Sequence, residues 1–293
     1  LACTFHDPAF AIVDSTGRLV FAEATERHLQ SKRAYNTLSD RIPYAGYVIH
    51  DYCEPKSDLV VARTWSNRSI GYHSVANKIV RFLVRLLPER TRWAPGLTAF
   101  RWLTESMRVV STTSENLRFL ANIEATSPYN RYREAALGFE RRVEVIGFDH
   151  HLTHAAAGCY TSPFSEAVCA VVDGFGEGTS TAFFHFNNGR IRKLPHRQKS
   201  SFSLGFLYAT ICQACGFDPL IGEEWKVMGL APYGQVDKEL FSRFDRIVEV
   251  RGLRIVGNPL AMSAPDVFRR VMACSPTDVA CTGQAFFEHV MQQ

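Results

Sequence analysis

Long apolar runs are the first thing missing from this 293-residue chain. The longest uninterrupted stretches, such as Ala167 to Val172, are about half a dozen residues, and a bilayer span needs roughly 20. No transmembrane helix is expected. Residues Leu1 to Val13 also lack the charged, apolar and small-residue order of a signal peptide, and the chain opens on Leu rather than Met, so a few upstream residues are expected to be missing. A disulfide framework is absent as well. The eight cysteines are scattered and several, Cys159, Cys169 and Cys212, lie in apolar runs. That usage favours reduced core thiols and a cytoplasmic location. Lysine is scarce, with 7 Lys against 26 Arg, and the net charge is only +4. So small a surplus suits anionic small molecules as well as nucleic acid.

What is present is globular: 46% hydrophobic, 12% aromatic and 21% charged, enough chain for one large domain or two of ordinary size. Phe10–Val13, a turn at Asp14–Gly17 and Leu19–Ala22 read as a hairpin. The layout recurs later. Ala167–Val172 is a strand, Asp173-Gly-Phe-Gly176 a glycine-rich turn, and Thr181–Phe186 a second strand that turns at Asn187-Asn-Gly189 into Arg190–Leu194. Between these units, helices are predicted at Tyr44–Tyr52, Val75–Leu87 and after Ser114, with strands at Leu59–Ala62 and Val143–Phe148. Further helices follow at about His150–Tyr160, at Leu204–Cys215 and from Ser275-Pro276 onward. The alternation indicates an α/β protein. The Arg-rich segment 79–87 reads as a packed helix with a basic edge rather than a membrane-surface helix.

The densest polar cluster is Asp149-His150-His151-Leu152-Thr153-His154. Positions four apart share a helix face, so His150 and His154 can aim two imidazoles at one ion, and Asp173 ends the strand that follows. Two imidazoles and a carboxylate with open positions suit Fe(II) or another divalent metal. His151, three residues from His154, can replace His150 in that role. Helix-start histidines that merely cap or pack are the bland alternative. The zinc-protease pattern is excluded because His151 stands where its Glu belongs.

Asp173-Gly-Phe-Gly-Glu-Gly178 could bring backbone N–H groups to a phosphate, although it matches neither a Walker loop nor a dinucleotide fingerprint. Glu224-Trp-Lys-Val-Met-Gly-Leu-Ala-Pro-Tyr-Gly234 shows no helical or strand period and is expected to shape a site, with Lys226 as a cation for phosphate. Near the start, Phe5-His6-Asp7-Pro8 places an imidazole and a carboxylate at a strand end, with Arg27 and Lys32 past the hairpin. His6 can serve as a general base or be an ordinary loop histidine. Cys212-Gln-Ala-Cys215 is a lone pair in an apolar helix, where core packing is expected over redox or zinc chemistry.

In order, these pieces resemble the NodU/CmcH-type O-carbamoyltransferase family. They are Phe5-His6-Asp7-Pro8-Ala9, Glu26-Arg27 with Lys32, Asp149 through Ala156, Ser162-Pro163-Phe164, Val172 through Glu177, and Lys226 through Gly234. The helix from Thr277 through Gln284 and Glu288 resembles the one that precedes the family's next glycine-rich strand.

The resemblance implies a duplicated fold like that of actin and the sugar kinases, close to the tRNA threonylcarbamoyl-transferases. Its first subdomain would run to about residue 165 with a helical insertion at about 65–142, and its second repeat would start at about 166. It implies carbamoyl-adenylate made from ATP (with Mg) and carbamoyl phosphate, and transfer of the carbamoyl group to a hydroxyl of a natural product or glycoside. It selects His150, His154 and Asp173 as ligands of iron or another divalent metal. His6, Asp7 and Lys32 become catalytic candidates, and Gly174, Gly176, Glu224 and Lys226 nucleotide or adenylate contacts. The second metal aspartate and a C-terminal YrdC-like domain would lie beyond Gln293, so the chain is expected to be a fragment, cut within its second repeat. The competing readings are a tRNA-modifying threonylcarbamoyl-transferase and a non-catalytic binding module. Neither nucleic acid nor membrane is expected as a partner.

Overall fold

A computed structural model describes residues 7–34, 43–69, 71, 142–195, 202–258 and 265–293. The helices expected at Val75–Leu87 and after Ser114, and the segment 79–87, lie outside these residues. The chain divides into two units, Leu1–Asp149 and His150–Gln293. Both mix helices with small sheets, so the protein is α/β.

The first unit opens with an antiparallel hairpin of β1 (Ala9–Val13) and β2 (Leu19–Ala24), Ala9 opposite Ala24. Asp14 builds its turn: one carboxylate oxygen accepts from the Thr16 and Arg18 backbone N–H groups and from the Thr16 hydroxyl. An aspartate that closes its own turn in this way is the physical reason such residues mark hairpins. A short helix, α1 (Thr25–Leu29), follows at once. Helix α2 (Pro43–Tyr52) packs Val48 against Phe10, with Ile12, Phe21 and Ile49 around them. Strands β3 (Leu59–Arg63) and β4 (Val143–Gly147) pair in parallel, Leu59 opposite Val143.

The second unit starts with helix α3 (His150–Thr161) and a three-stranded antiparallel sheet, β5 (Glu166–Gly176), β6 (Thr179–Asn187) and β7 (Arg190–Lys193). Ala155 of α3, Val171 of β5 and Ala182 and Phe184 of β6 form a buried cluster that seats the helix on the sheet. The β6–β7 turn uses Asn188 and Gly189 in the left-handed region (φ 44° and 79°), the mirror-image turn that suits strand twist.

A larger core follows, built from α4 (Leu204–Ala214), α5 (Glu224–Leu230), α6 (Lys238–Asp245), the hairpin β8 (Val248–Arg251) and β9 (Arg254–Gly257), α7 (Pro265–Ala273) and α8 (Pro276–Gln292). Leu207, Ile211, Val227, Leu240, Phe244, Val279, Phe286 and Val290 meet inside it. Each fully buried side chain of this kind contributes roughly 1.5–3 kcal/mol. Ser275 caps α8 by accepting from Asp278 N–H at 3.1 Å, and Pro276 occupies the first helical turn, where no donor is lost. Among the described residues no helix is long and apolar enough to cross a membrane.

Two sequence expectations change. Asp173–Gly176 is not a turn: β5 continues through it, and the turn is Glu177 and Gly178, both at positive φ (52° and 86°). The segment from Glu224 is not irregular either. It is a seven-residue helix followed by a 3-10 turn at Ala231–Tyr233. Its period was hidden because the helix is short, burying Val227 while Trp225 and Met228 face solvent. Cys212 and Cys215 are free and buried. Burial, helped by the Glu224 and Glu223 charges, pushes the Cys212 thiol up to about 11, and burial does the same for Cys215. Thiols held so far above neutral pH are not nucleophiles.

Candidate metal site on helix α3 and strand β5

The site lies wholly within the second unit. Helix α3 begins at His150, whose backbone N–H donates to the Glu177 carboxylate at 3.2 Å. An acid at a helix N-terminus satisfies an orphan donor and suits the helix dipole. The β5–β6 turn thus fixes where α3 starts, and so where its first imidazole sits. One turn later His154 falls on the same face, with its Nε2 3.1 Å from His150 Nε2.

Asp173 reaches the histidines because β5 carries a bulge. Val172 pairs with Thr181 and Gly176 with Thr179, so three residues of β5 stand opposite a single residue of β6. Bulges re-aim side chains, and this one places Asp173 Oδ2 3.1 Å from His150 Nε2. Helix α4 braces the bulge from the other side. Ser203 caps α4 by accepting from Phe206 N–H and donates its hydroxyl to the Asp173 carbonyl at 3.0 Å. Gly205 lies so close to Gly174 that a Cβ there would stand 2.7 Å from the Gly174 nitrogen.

One ring nitrogen each from His150 and His154 and one Asp173 oxygen lie within 4.8 Å of one another. His150 is buried, Asp173 half-buried and His154 exposed, so the trio opens to solvent on one side. Burial works to raise the Asp173 carboxyl, but hydrogen bonding from His150 and from Gly174 N–H, with His151 Nε2 close by at 3.6 Å, outweighs it. The group is held well below the usual carboxylate range. An ionised carboxylate beside two imidazoles is the donor set of a divalent transition metal. Two nitrogens each about 2.1 Å from one ion at right angles would be separated by roughly 3.0 Å. The observed 3.1 Å spacing fits that arrangement.

The remaining candidates are placed as follows. Gly174 N–H donates to Asp173 Oδ1 at 2.6 Å, while Gly176 lies against the rings of His150 and His151. Glu224 opens α5, and the charge of its carboxylate is felt at Cys212. The Lys226 ammonium pairs with Glu223 and stands 5.5 Å from the centre of the Phe217 ring. In the first unit, Asp7 pairs with Arg33 at 3.2 Å and Lys32 with Glu26 at 3.3 Å. His6 lies outside the described residues. Sequence reasoning missed Thr179, Ser203 and Gly205 and gave no role to Glu177. Ser203 carried the only local signal, a cap residue ahead of an apolar helix; the others act across the fold.

Comparison with known proteins adds the family. The carbamoyltransferase N-terminus family matches residues 101–281, a span that contains His150, His154, Asp173 and Lys226. An uncharacterized protein of Synechocystis sp. is 28% identical over 242 residues, covering 80% of this chain and 34% of that protein. Nodulation protein NolNO of Sinorhizobium fredii is 32% identical over 108 residues, 36% of this chain and 15% of NolNO. Nodulation protein NolO of Bradyrhizobium diazoefficiens is 31% identical over 110 residues, 36% of this chain and 19% of NolO. The chain therefore spans about a third of the length of the Synechocystis protein and less than a fifth of the two nodulation proteins. With the family matching more than half of its residues, the chain belongs to the carbamoyltransferase N-terminus family.

Proposed function

We propose that this chain is the acceptor-side domain of an ATP-dependent O-carbamoyltransferase, with an actin-like duplicated fold. The observation that carries the reading is the trio His150, His154 and Asp173, gathered within 4.8 Å inside the segment the family matches. The intact protein would make carbamoyl-adenylate from ATP and carbamoyl phosphate on a YrdC-like domain. The acceptor is a small-molecule hydroxyl, as in a natural product or glycoside.

In the transfer step the acceptor oxygen forms a bond to the carbamoyl carbon, and the bond from that carbon to the adenylate phosphate oxygen breaks, releasing AMP. His6 takes the hydroxyl proton. Asp7 orients His6, and Lys32 and Lys226 offset negative charge on phosphate and carbamate oxygens. Gly174, Gly176 and Glu224 border the adenylate. His150, His154 and Asp173 hold Fe(II) or another divalent ion. Such an ion, when bound, supplies Lewis acidity toward phosphate and carbonyl oxygens.

The test is the double variant His150→Ala, His154→Ala in the intact protein, assayed for bound metal and for carbamoyl transfer to hydroxyl compounds. Loss of both is expected. Retained metal together with full activity would remove the assignment.

A further inference from the structure

We infer that His151 is a positioning residue, which with Thr179 holds the Asp173 carboxylate against His150. The inference rests on the metal reading above and deepens it. His151 is the most buried of the three histidines, 1% exposed. Its Nδ1 lies 3.1 Å from the Thr179 hydroxyl, and its Nε2 faces Asp173 Oδ2 at 3.6 Å. It is not one of the three donors that converge. Its neighbour His150 turns its Nε2 to both Asp173 and His154, whereas the His151 Nε2, buried and without a hydrogen bond among the described residues, faces the carboxylate, with Gly176 as a wall. A Cβ on Gly176 would stand 2.7 Å from that nitrogen.

The tautomer follows from Asp173. A carboxylate oxygen facing Nε2 favours the ring hydrogen on that nitrogen, which leaves Nδ1 to accept from the Thr179 hydroxyl. The single hydroxyl proton lies between two acceptors, His151 Nδ1 and the Gly176 carbonyl, each 3.1 Å away. The order Thr179, His151, Asp173, His150 thus runs from the β5–β6 turn to the point where the donors meet. Outer groups of this kind orient metal ligands, and losing one typically costs roughly 10- to 100-fold in affinity.

The experiment measures Co(II) affinity and the Co(II) absorption spectrum of the full chain. His151→Phe, which keeps a ring and removes both nitrogens, should weaken Co(II) roughly 10- to 100-fold. His151→Gln, with an amide N–H near the Nε2 position, should restore most of the affinity. Unchanged affinity and spectrum in His151→Phe would overturn the proposal. So would a loss as complete as that of His154→Ala without rescue by Gln, which would make His151 a ligand. Thr179→Val, a milder change, should weaken Co(II) and Thr179→Ser should not; it decides the matter if His151→Phe does not fold.

His154→Ala separates the two readings. If it leaves Co(II) binding intact, the metal reading fails. The ring 15N resonances of His150 in metal-free protein then still decide this one. His151→Phe should move them as Asp173→Asn does, and unmoved resonances would overturn the proposal.

Discussion

At the scale of single residues, the site depends on an absence of volume. Gly176 faces both rings: a Cβ would stand 2.5 Å from His150 Cδ2 and 2.7 Å from His151 Nε2. Those atoms belong to buried, hydrogen-bonded rings that cannot swing away. Gly176→Ala should therefore cost about 1–3 kcal/mol of stability by overpacking, and should weaken Co(II) binding as the rings part. Gly158, on the exposed side of α3, is the control, since nothing lies within 4 Å of a Cβ there. Gly158→Ala should be neutral or stabilising by about 0.5–1 kcal/mol, because it removes a helix-interior glycine. Urea midpoints of both variants check the contrast, and equal losses would contradict it. None of this was visible in the sequence, where Gly176 read as a phosphate-binding glycine. The partners of Gly176 stand some 25 residues away in sequence, and no local pattern records a contact made across that distance.

Among elements, Asp237 joins three helices. It caps α6 by accepting from Leu240 N–H at 2.7 Å, pairs with Arg270 of α7, and donates its own N–H to Thr282 of α8. The Arg270 hydrogen bond, then the Leu240 N–H, lower the Asp237 carboxyl below its ordinary value. A carboxyl depressed in the folded state contributes stability above its unfolded pKa, roughly pH 4, and loses it as pH falls through the folded value. Asp237→Ala should then cost about 1 kcal/mol at pH 7 as a lost cap. The gap from the parent protein should narrow at pH 3. Urea denaturation at the two pH values reads it, and a gap that widens in acid would reverse the sign argued here.

The elements themselves were legible wherever a cap or a period spoke. Ser275-Pro276 announced α8 and Asn187-Asn-Gly189 the β6–β7 turn. The segment from Glu224 was not legible, because seven residues with one buried position carry too little period to distinguish helix from loop.

For the whole molecule, the reading makes metal binding a matter of stability as well as chemistry. An ion that binds only folded protein stabilises it by roughly 2.7 kcal/mol at a concentration 100 times Kd. For a chain of this size that raises Tm by roughly 4–5 °C. Calorimetry with and without Co(II), and after treatment with a chelator, should show the rise and its reversal in the parent and neither in His154→Ala. An equal rise in His154→Ala would place the ion elsewhere. The paired histidines could be read from sequence because a helix converts a spacing of four into a shared face. Asp173 could be read because a strand end returns to the same crevice. Between them lies the bulge, which the sequence presented as a turn. It has a consequence for how the protein can change over time. Where three residues of β5 stand opposite one of β6, side chains may be exchanged, but the number of residues may not. A one-residue deletion between Val172 and Gly176 would change the parity between the two flanks of the bulge, so that side chains on one flank would turn to the opposite face of the sheet. Length should vary less along this stretch than residue identity does.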